Sequence, residues 1–112
     1  MRSNIPSFRL PQAVLDEEIN MILKMGGVEI RYNSPVSSMK ALLEEGGYDA
    51  VFVGTGAPKG KNLDIPGRYD SDKIHIGIDW LEAVAFGHVT SIEERVLIIG
   101  VGNTAMDCCR TA

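Results

Sequence analysis

One long stretch of the chain carries hydrophobic residues at helical spacing. After Pro11, apolar side chains recur on one face of a helix, and Asp16–Glu18 lie near its positive end. Gly26 and Gly27 then supply a stop. The apolar positions are Val14, Leu15, Ile19, Ile22 and Leu23. The pattern predicts an amphipathic helix from Pro11 to just before Gly26.

Shorter helical patterns occur at three further places. Ser37 or Ser38 can cap a short helix that carries Met39, Leu42 and Leu43. The segment Asp79–Phe86 places Trp80, Leu81, Val84 and Ala85 at helical spacing before Gly87. A last helix is predicted to begin after Ala105.

Three other segments have the pattern of β-strands. Val28–Tyr32 alternates, whereas Tyr48–Val53 and Arg95–Ile99 are near-continuous apolar runs, as in strands covered on both faces. Strands separated by helical crossovers indicate a parallel α/β fold.

Composition narrows the class of protein. With 112 residues and a net charge of −4, the chain has room for one small domain and no basic cluster for nucleic acid. Its apolar runs are far shorter than the roughly 18 residues that span a bilayer, so we expect no membrane segment. Cys108 and Cys109 are adjacent, which gives neither a disulfide framework nor zinc-ligand spacing. A reducing, cytoplasmic setting without a metal site is expected.

The sharpest chemical signal is a glycine turn between a predicted strand and a predicted helix. Gly100 permits a tight turn, Gly102 lets the backbone approach a diphosphate, and Ala105 is small enough for close packing of helix and strand. Helix N-terminal amides would then face the anion. The alternative is a glycine-rich turn that binds nothing.

A second signal is the small-residue end of the strand before Pro58, where Val53–Ala57 could approach a flat or anionic group or could be an ordinary strand end. No residue of the chain suggests a catalytic acid, base or nucleophile. His75 and His88 are expected to be solvated, and the two cysteines to serve packing. Asp107 is expected to cap the helix or to make an interdomain contact.

Taken together, these motifs resemble a known family. Ile5–Pro11, the run Tyr48–Pro58 followed by Ile65-Pro66-Gly67, and Gly100–Asp107 occur in the same order in the small (beta) chain of NADPH-dependent glutamate synthase and in related FAD/NAD(P)-binding oxidoreductases. The resemblance covers nearly all of the chain. It implies a partial Rossmann-like, three-layer α/β fold truncated at both ends, within a longer parent protein.

The resemblance also implies domains and cofactor contacts. Residues 1–90 would be the C-terminal portion of an FAD-binding domain with an interdomain loop, and residues 91–112 the first strand, glycine loop and helix start of an NAD(P)H-binding domain. The residues predicted to contact NADPH are Gly100, Gly102, Asn103, Thr104 and Ala105, and those predicted near FAD are Val36, Thr55, Gly56 and Ala57. Ligands for the family's 4Fe-4S clusters are absent from this chain.

The function implied is hydride transfer from NADPH to FAD, with electrons passing through iron–sulfur clusters to a glutamate synthase large subunit or an equivalent acceptor. The isolated 112-residue chain is expected to be inactive, and its unpaired strand edges to favour self-association. Two alternatives remain open: a non-catalytic nucleotide-binding or regulatory α/β module, and an interaction module that uses Ile5–Pro11.

Overall fold

A computed structural model describes residues 1–112 of the chain. It contains four α-helices and no β-strand. The helices are α1 (Gln12–Lys24), α2 (Met39–Glu44), α3 (Gly77–Ala85) and α4 (Asn103–Thr111).

Helix α1 confirms the longest helical prediction. Pro11 is its N-cap, with extended backbone torsions, and the Pro11 carbonyl accepts from the amides of Val14 and Leu15. After Lys24 the chain leaves the helix through Gly26, which has a φ of 80° that favours glycine. Leu15 is the one buried residue of the helix.

Helix α2 confirms the predicted serine cap. The Ser38 hydroxyl accepts a hydrogen bond from the Ala41 amide at 3.2 Å. This bond satisfies one of the amides that a helix N-terminus leaves without a partner. No residue of this six-residue helix is buried, so little besides the cap and its own backbone bonds holds it.

Helix α3 begins two residues earlier than predicted and ends in a Schellman motif. The Gly87 amide donates to the Val84 carbonyl at 3.0 Å, and the His88 amide donates to the Ala83 carbonyl at 2.8 Å. Gly87 has a φ of 73°, the left-handed conformation that this motif requires. The predicted role of Gly87 as the helix stop is confirmed.

The core of the molecule lies between α3 and α4. Trp80 and Leu81 of α3 pack with Cys108 of α4, and the Cys108 thiol lies 3.6 Å from the Gly77 carbonyl oxygen. Val84, Val89 and Ile98 cover this cluster. Trp80 is therefore a core residue, as its spacing predicted, and α3 with α4 is the one pair of helices in contact.

The first ten residues, which we call the lead-in segment, tie this helix pair together. Asn4 donates its side-chain amide to the Ile78 carbonyl at 3.3 Å. Arg9 donates to the Asp107 carboxylate at 2.7 Å, and the guanidinium of Arg110 lies 3.9 Å from the centroid of the Phe8 ring. The lead-in segment thus contacts both α3 and α4.

The predicted three-layer, partial Rossmann-like fold is wrong for this structure. None of the segments Val28–Tyr32, Tyr48–Val53 and Arg95–Ile99 forms a strand, so the first strand predicted for residues 91–112 is also missing. A strand exists only by pairing its amides and carbonyls with a neighbour, and no two of these segments pair. A parallel sheet also needs helices on its faces, yet α1 and α2 contact no other helix and there is no sheet for them to cover.

The consequence is an open molecule. Its radius of gyration is 18.4 Å, compared with about 13 Å for a compact domain of this length. The chain makes 41 backbone–backbone hydrogen bonds, where a globular chain of this size makes about 75. Phe52 is 95% exposed and Leu97 is 86% exposed, so the would-be strands leave large apolar side chains in water.

Candidate functional site

The glycine turn, residues 100–105, leads directly into α4. Gly102 is the N-cap of the helix, and its carbonyl accepts from the Met106 amide at 3.1 Å. The helix starts at Asn103, earlier than the predicted start after Ala105, so Asn103, Thr104 and Ala105 form its first turn. The predicted NADPH-contacting residues are therefore contiguous at one helix N-terminus.

The backbone amides of this turn are free. None of the N–H groups of residues 100–105 donates a hydrogen bond within the chain, and no side chain caps the helix. Four amides at any helix start lack an intrahelical acceptor, and together with the helix dipole they favour an anion. The turn presents the donors that a diphosphate needs.

The two glycines of the turn play different structural roles. Gly100 has a φ of 136°, which only glycine adopts without strain, and a Cβ added there would lie 3.5 Å from the Ala105 Cβ. Gly102 has a φ of −81°, and an added Cβ would meet no atom within 4 Å. Gly100 is therefore required by the turn itself, whereas the chain alone gives no steric reason for Gly102.

The residues predicted near FAD are not brought into a site. Residues 53–57 make no hydrogen bond within the chain, and Val36, in a segment without regular structure, is half exposed. No hydrogen bond or ion pair joins either of them to the glycine turn. A cavity of about 430 Å³ lies between the lead-in segment and helices α1, α3 and α4, but none of the predicted cofactor-binding residues lines it.

The glycine turn and the predicted FAD segment therefore differ in how well they fit their cofactors. The turn offers free amides and open space above Gly102, which fit the diphosphate of a nicotinamide dinucleotide. The segment at residues 53–57 is exposed and makes no hydrogen bond within the chain, and it does not fit a flavin by itself. No step through FAD follows from this geometry.

The cysteines and histidines behave as packing and surface residues. Cys108 is buried against α3, which confirms the predicted packing role, whereas Cys109 is exposed, so that prediction is wrong for Cys109. Burial raises the pKa of the Cys108 thiol, and the neighbouring Asp107 carboxylate raises this pKa further. His75 and His88 are exposed, as predicted. None of these four side chains supplies a nucleophile or a base to the turn.

Asp107 is the functional residue that the sequence described least well. Its side chain is 9% exposed and accepts from Arg9, 98 residues earlier, whose own side chain is 44% exposed. Asp107 does not cap the helix, so that alternative is wrong. The ion pair joins residues 1–90 to residues 91–112, the two ranges between which the other alternative expects a contact. The partner could not be identified from spacing, because no local pattern links residues so far apart. The signal available was an arginine inside Ile5–Pro11 and a carboxylate one turn beyond the glycines.

No group of three or more histidine, cysteine or carboxylate side chains is placed to hold a metal ion. None of the four helices combines the length and the apolar character needed to cross a bilayer.

Comparison with known proteins identifies relatives of this chain. The beta subunit of the NADPH-Fe(3+) oxidoreductase of Geobacter sulfurreducens is 35% identical over 113 residues, which cover 96% of this chain and 16% of the relative. The NAD-dependent dihydropyrimidine dehydrogenase subunit PreT of Escherichia coli is 39% identical over 114 residues, covering 99% and 26%. The glutamate synthase [NADPH] small chain of Halomonas elongata is 36% identical over 123 residues, covering 96% and 25%.

The chain thus spans between about a sixth and a quarter of the length of these relatives. No protein-family profile matches it, and no solved structure is significantly similar. All three relatives are subunits whose names specify NADPH or NAD. The resemblance predicted from the motifs is confirmed: the chain is homologous, over nearly its whole length, to part of the NAD(P)-dependent oxidoreductase subunits that include the glutamate synthase small chain.

Proposed function

We propose that this chain supplies the diphosphate-binding turn for NADPH in an oxidoreductase that passes hydride from NADPH to FAD. The observation that supports the proposal is the set of free amides at residues 100–105, at the N-terminus of α4. Relatives named for NADPH or NAD agree with a nicotinamide dinucleotide as the ligand.

In this proposal the chain positions the cofactor and does no acid–base chemistry. When bound, NADPH would supply the hydride and FAD would accept it, so the protein's part would be orientation and electrostatics. Asn103, Thr104 and Ala105 would direct their amides at the diphosphate, while Gly102 would let the backbone come within hydrogen-bonding distance. Contacts of Val36, Thr55, Gly56 and Ala57 with FAD remain part of the proposal on the resemblance alone.

The same resemblance implies a partner that accepts the electrons. Electrons would leave FAD through 4Fe-4S clusters bound outside this chain and reach a glutamate synthase large subunit or an equivalent acceptor. The relatives include subunits named beta or small, which agrees with a partner subunit.

Replacing Gly102 by valine in the full-length protein tests the proposal. Nothing lies within 4 Å of a Cβ added at Gly102 and its φ is ordinary, so Gly102→Val introduces a side chain without backbone strain. It should raise the Kd for NADPH about tenfold or more, because its side chain fills the space a diphosphate needs. Flavin content, measured by visible absorbance, should stay unchanged.

The matched control is Cys109→Ser, an exposed position on the same helix, which should leave the Kd for NADPH unchanged. Equal losses of NADPH affinity and of flavin content would contradict the assignment of the glycine turn to NADPH. A colourless full-length protein that binds the dinucleotide without oxidising it would favour the alternative of a non-catalytic module.

A further inference from the structure

The ion pair between Arg9 and Asp107 has a position that suggests more than packing. Asp107 is the one charged residue that is buried, and its side chain is 9% exposed. It lies five residues after Gly102. At the rise of an α-helix that separation is about 7 Å along the axis of α4. A carboxylate therefore lies directly behind the turn proposed to bind a diphosphate.

A bare carboxylate at that position would oppose an anion. A diphosphate on the free amides would lie about 3 Å beyond them, roughly 10 Å from the carboxylate. At that distance a unit charge changes a binding equilibrium by roughly tenfold at the effective dielectric of a protein surface. The Nη1 atom of Arg9 lies 2.7 Å from the Oδ2 atom of Asp107, which neutralises the carboxylate at its own oxygen. Arg9 itself is 44% exposed.

The same pair also fixes the direction of α4. The helix is held on one side by α3, where the Cys108 thiol lies 3.6 Å from the Gly77 carbonyl oxygen. It is held on the other by the lead-in segment, through Arg9 with Asp107 and through Phe8 with Arg110. A tilt of about 10° about Asp107 would move the amides at Gly102 by about 1 Å, enough to weaken a positioned contact.

We propose that Arg9 is a positioning residue for the nicotinamide dinucleotide, which neutralises Asp107 behind the glycine turn and holds α4 so that its free amides meet the diphosphate. This inference rests on the proposed function and deepens it, because it assigns a role in NADPH binding to a residue outside the glycine turn.

Three variants of the full-length protein separate the roles of charge and contact. Arg9→Gln leaves the carboxylate unneutralised and should raise the Kd for NADPH about tenfold. Asp107→Asn removes the repelling charge, keeps an oxygen that accepts from Arg9 and leaves the Arg9 cation, so NADPH should bind as tightly as in the wild type or more tightly. The double variant pairs two neutral amides and should bind within about threefold of the wild type.

Salt dependence gives a readout that a purely structural role would not move. The difference in Kd between Arg9→Gln and the wild type should shrink as the salt concentration rises, because ions screen the repulsion between the Asp107 carboxylate and the diphosphate. If Arg9→Gln fails to fold, Arg9→Lys keeps the positive charge and should bind NADPH within about threefold of the wild type. A tenfold loss in Arg9→Lys would overturn the role of charge.

The outcomes distinguish this inference from the proposed function. If Gly102→Val weakens NADPH binding but Arg9→Gln does not, the role of Arg9 is refuted and the proposed function stands. If Gly102→Val has no effect on the Kd, the proposed function itself fails. Equal losses in Arg9→Gln and Asp107→Asn, without recovery in the double variant, would show a packing role only and overturn the inference.

Discussion

At the scale of single residues, the two neighbouring cysteines show how position on a helix decides chemistry. Cys108 faces α3 and lies beside Asp107, and both surroundings raise the pKa of its thiol. Cys109, one residue on, points away from the core and is exposed. The same residue type therefore has two different reactivities within one helical turn.

Thiol labelling checks this difference. A maleimide at pH 7.5 should modify Cys109 quickly and Cys108 slowly, because the reactive species is the thiolate and Cys108 is held protonated and buried. Mass spectrometry of digested protein would report the site. The Cys109→Ser variant should remain almost unlabelled at this pH. Its labelling rate should still increase with pH above pH 9.0, the ordinary pKa of a thiol. Equal labelling of both cysteines would contradict the burial of Cys108.

The raised pKa also sets the direction of a pH effect on stability. A thiol that keeps its proton more tightly in the folded state contributes stability below its unfolded pKa. That contribution is lost as the pH rises through the higher folded value. For Cys108, stability should therefore fall on the alkaline side of 9.0.

At the scale of elements, the contact between α3 and α4 depends on a glycine at the start of α3. A Cβ built on Gly77 would lie 3.1 Å from the Cys108 Sγ and 3.5 Å from the Thr104 Cγ2. The first distance is tighter than ordinary van der Waals contact, so a side chain at position 77 requires the Cys108 sulfur to move by a few tenths of an ångström. Gly77 therefore permits the close approach on which the core depends.

A double-mutant cycle tests this contact. Gly77→Ala should destabilise the helix pair by about 1 kcal/mol through overpacking against Cys108. Cys108→Ala removes the sulfur that an alanine at position 77 would meet. The double variant should therefore lose less free energy of unfolding than the sum of the losses in the two single variants. Thermal unfolding followed by circular dichroism measures each variant. Strictly additive losses would mean that the two positions do not touch.

Sequence reasoning succeeded where an element depends on its own residues. The Ser38 cap, the stop at Gly87 and the helical face after Pro11 are all local signals, and the structure confirms them. It failed for Tyr48–Val53 and Arg95–Ile99, because a strand depends on a neighbour that no local pattern supplies.

The candidate site divides in the same way. The glycine turn could be identified from Gly100 and Gly102 with the helix that follows, since the whole feature is contiguous in sequence. Helix α4 begins before the predicted start after Ala105, because Asn103 and Thr104 carry no strong helix signal. The ion pair of Arg9 with Asp107 could not be predicted, since it joins residues at opposite ends of the chain.

At the scale of the whole molecule, the main feature is the exposure of apolar segments to solvent. Phe52 and Leu97 are almost completely exposed within two runs that have strand-like composition. Unpaired backbone beside exposed apolar side chains is a template for pairing with another chain. The isolated chain has a surface that favours association between copies.

Sedimentation velocity of the isolated 112-residue chain tests this property. The wild-type chain should associate as its concentration rises, whereas the double variant Phe52→Lys with Leu97→Lys should sediment as a monomer. Tyr69→Lys is the control, because Tyr69 is 80% exposed but lies outside both apolar runs. Helix content should not change in any variant. Association that persists in the double variant would show that these segments are not the contact.

The ion pair between Arg9 and Asp107, at opposite ends of the chain, predicts an order of folding events. Gly77 and Cys108 are 31 residues apart, whereas Arg9 and Asp107 are 98 apart, and closing the longer loop costs about 1 kcal/mol more in chain entropy. The pair of α3 and α4 should therefore assemble first and the N-terminal residues should dock onto it afterwards. The glycine turn at the start of α4 would then reach its final orientation in the last event of folding.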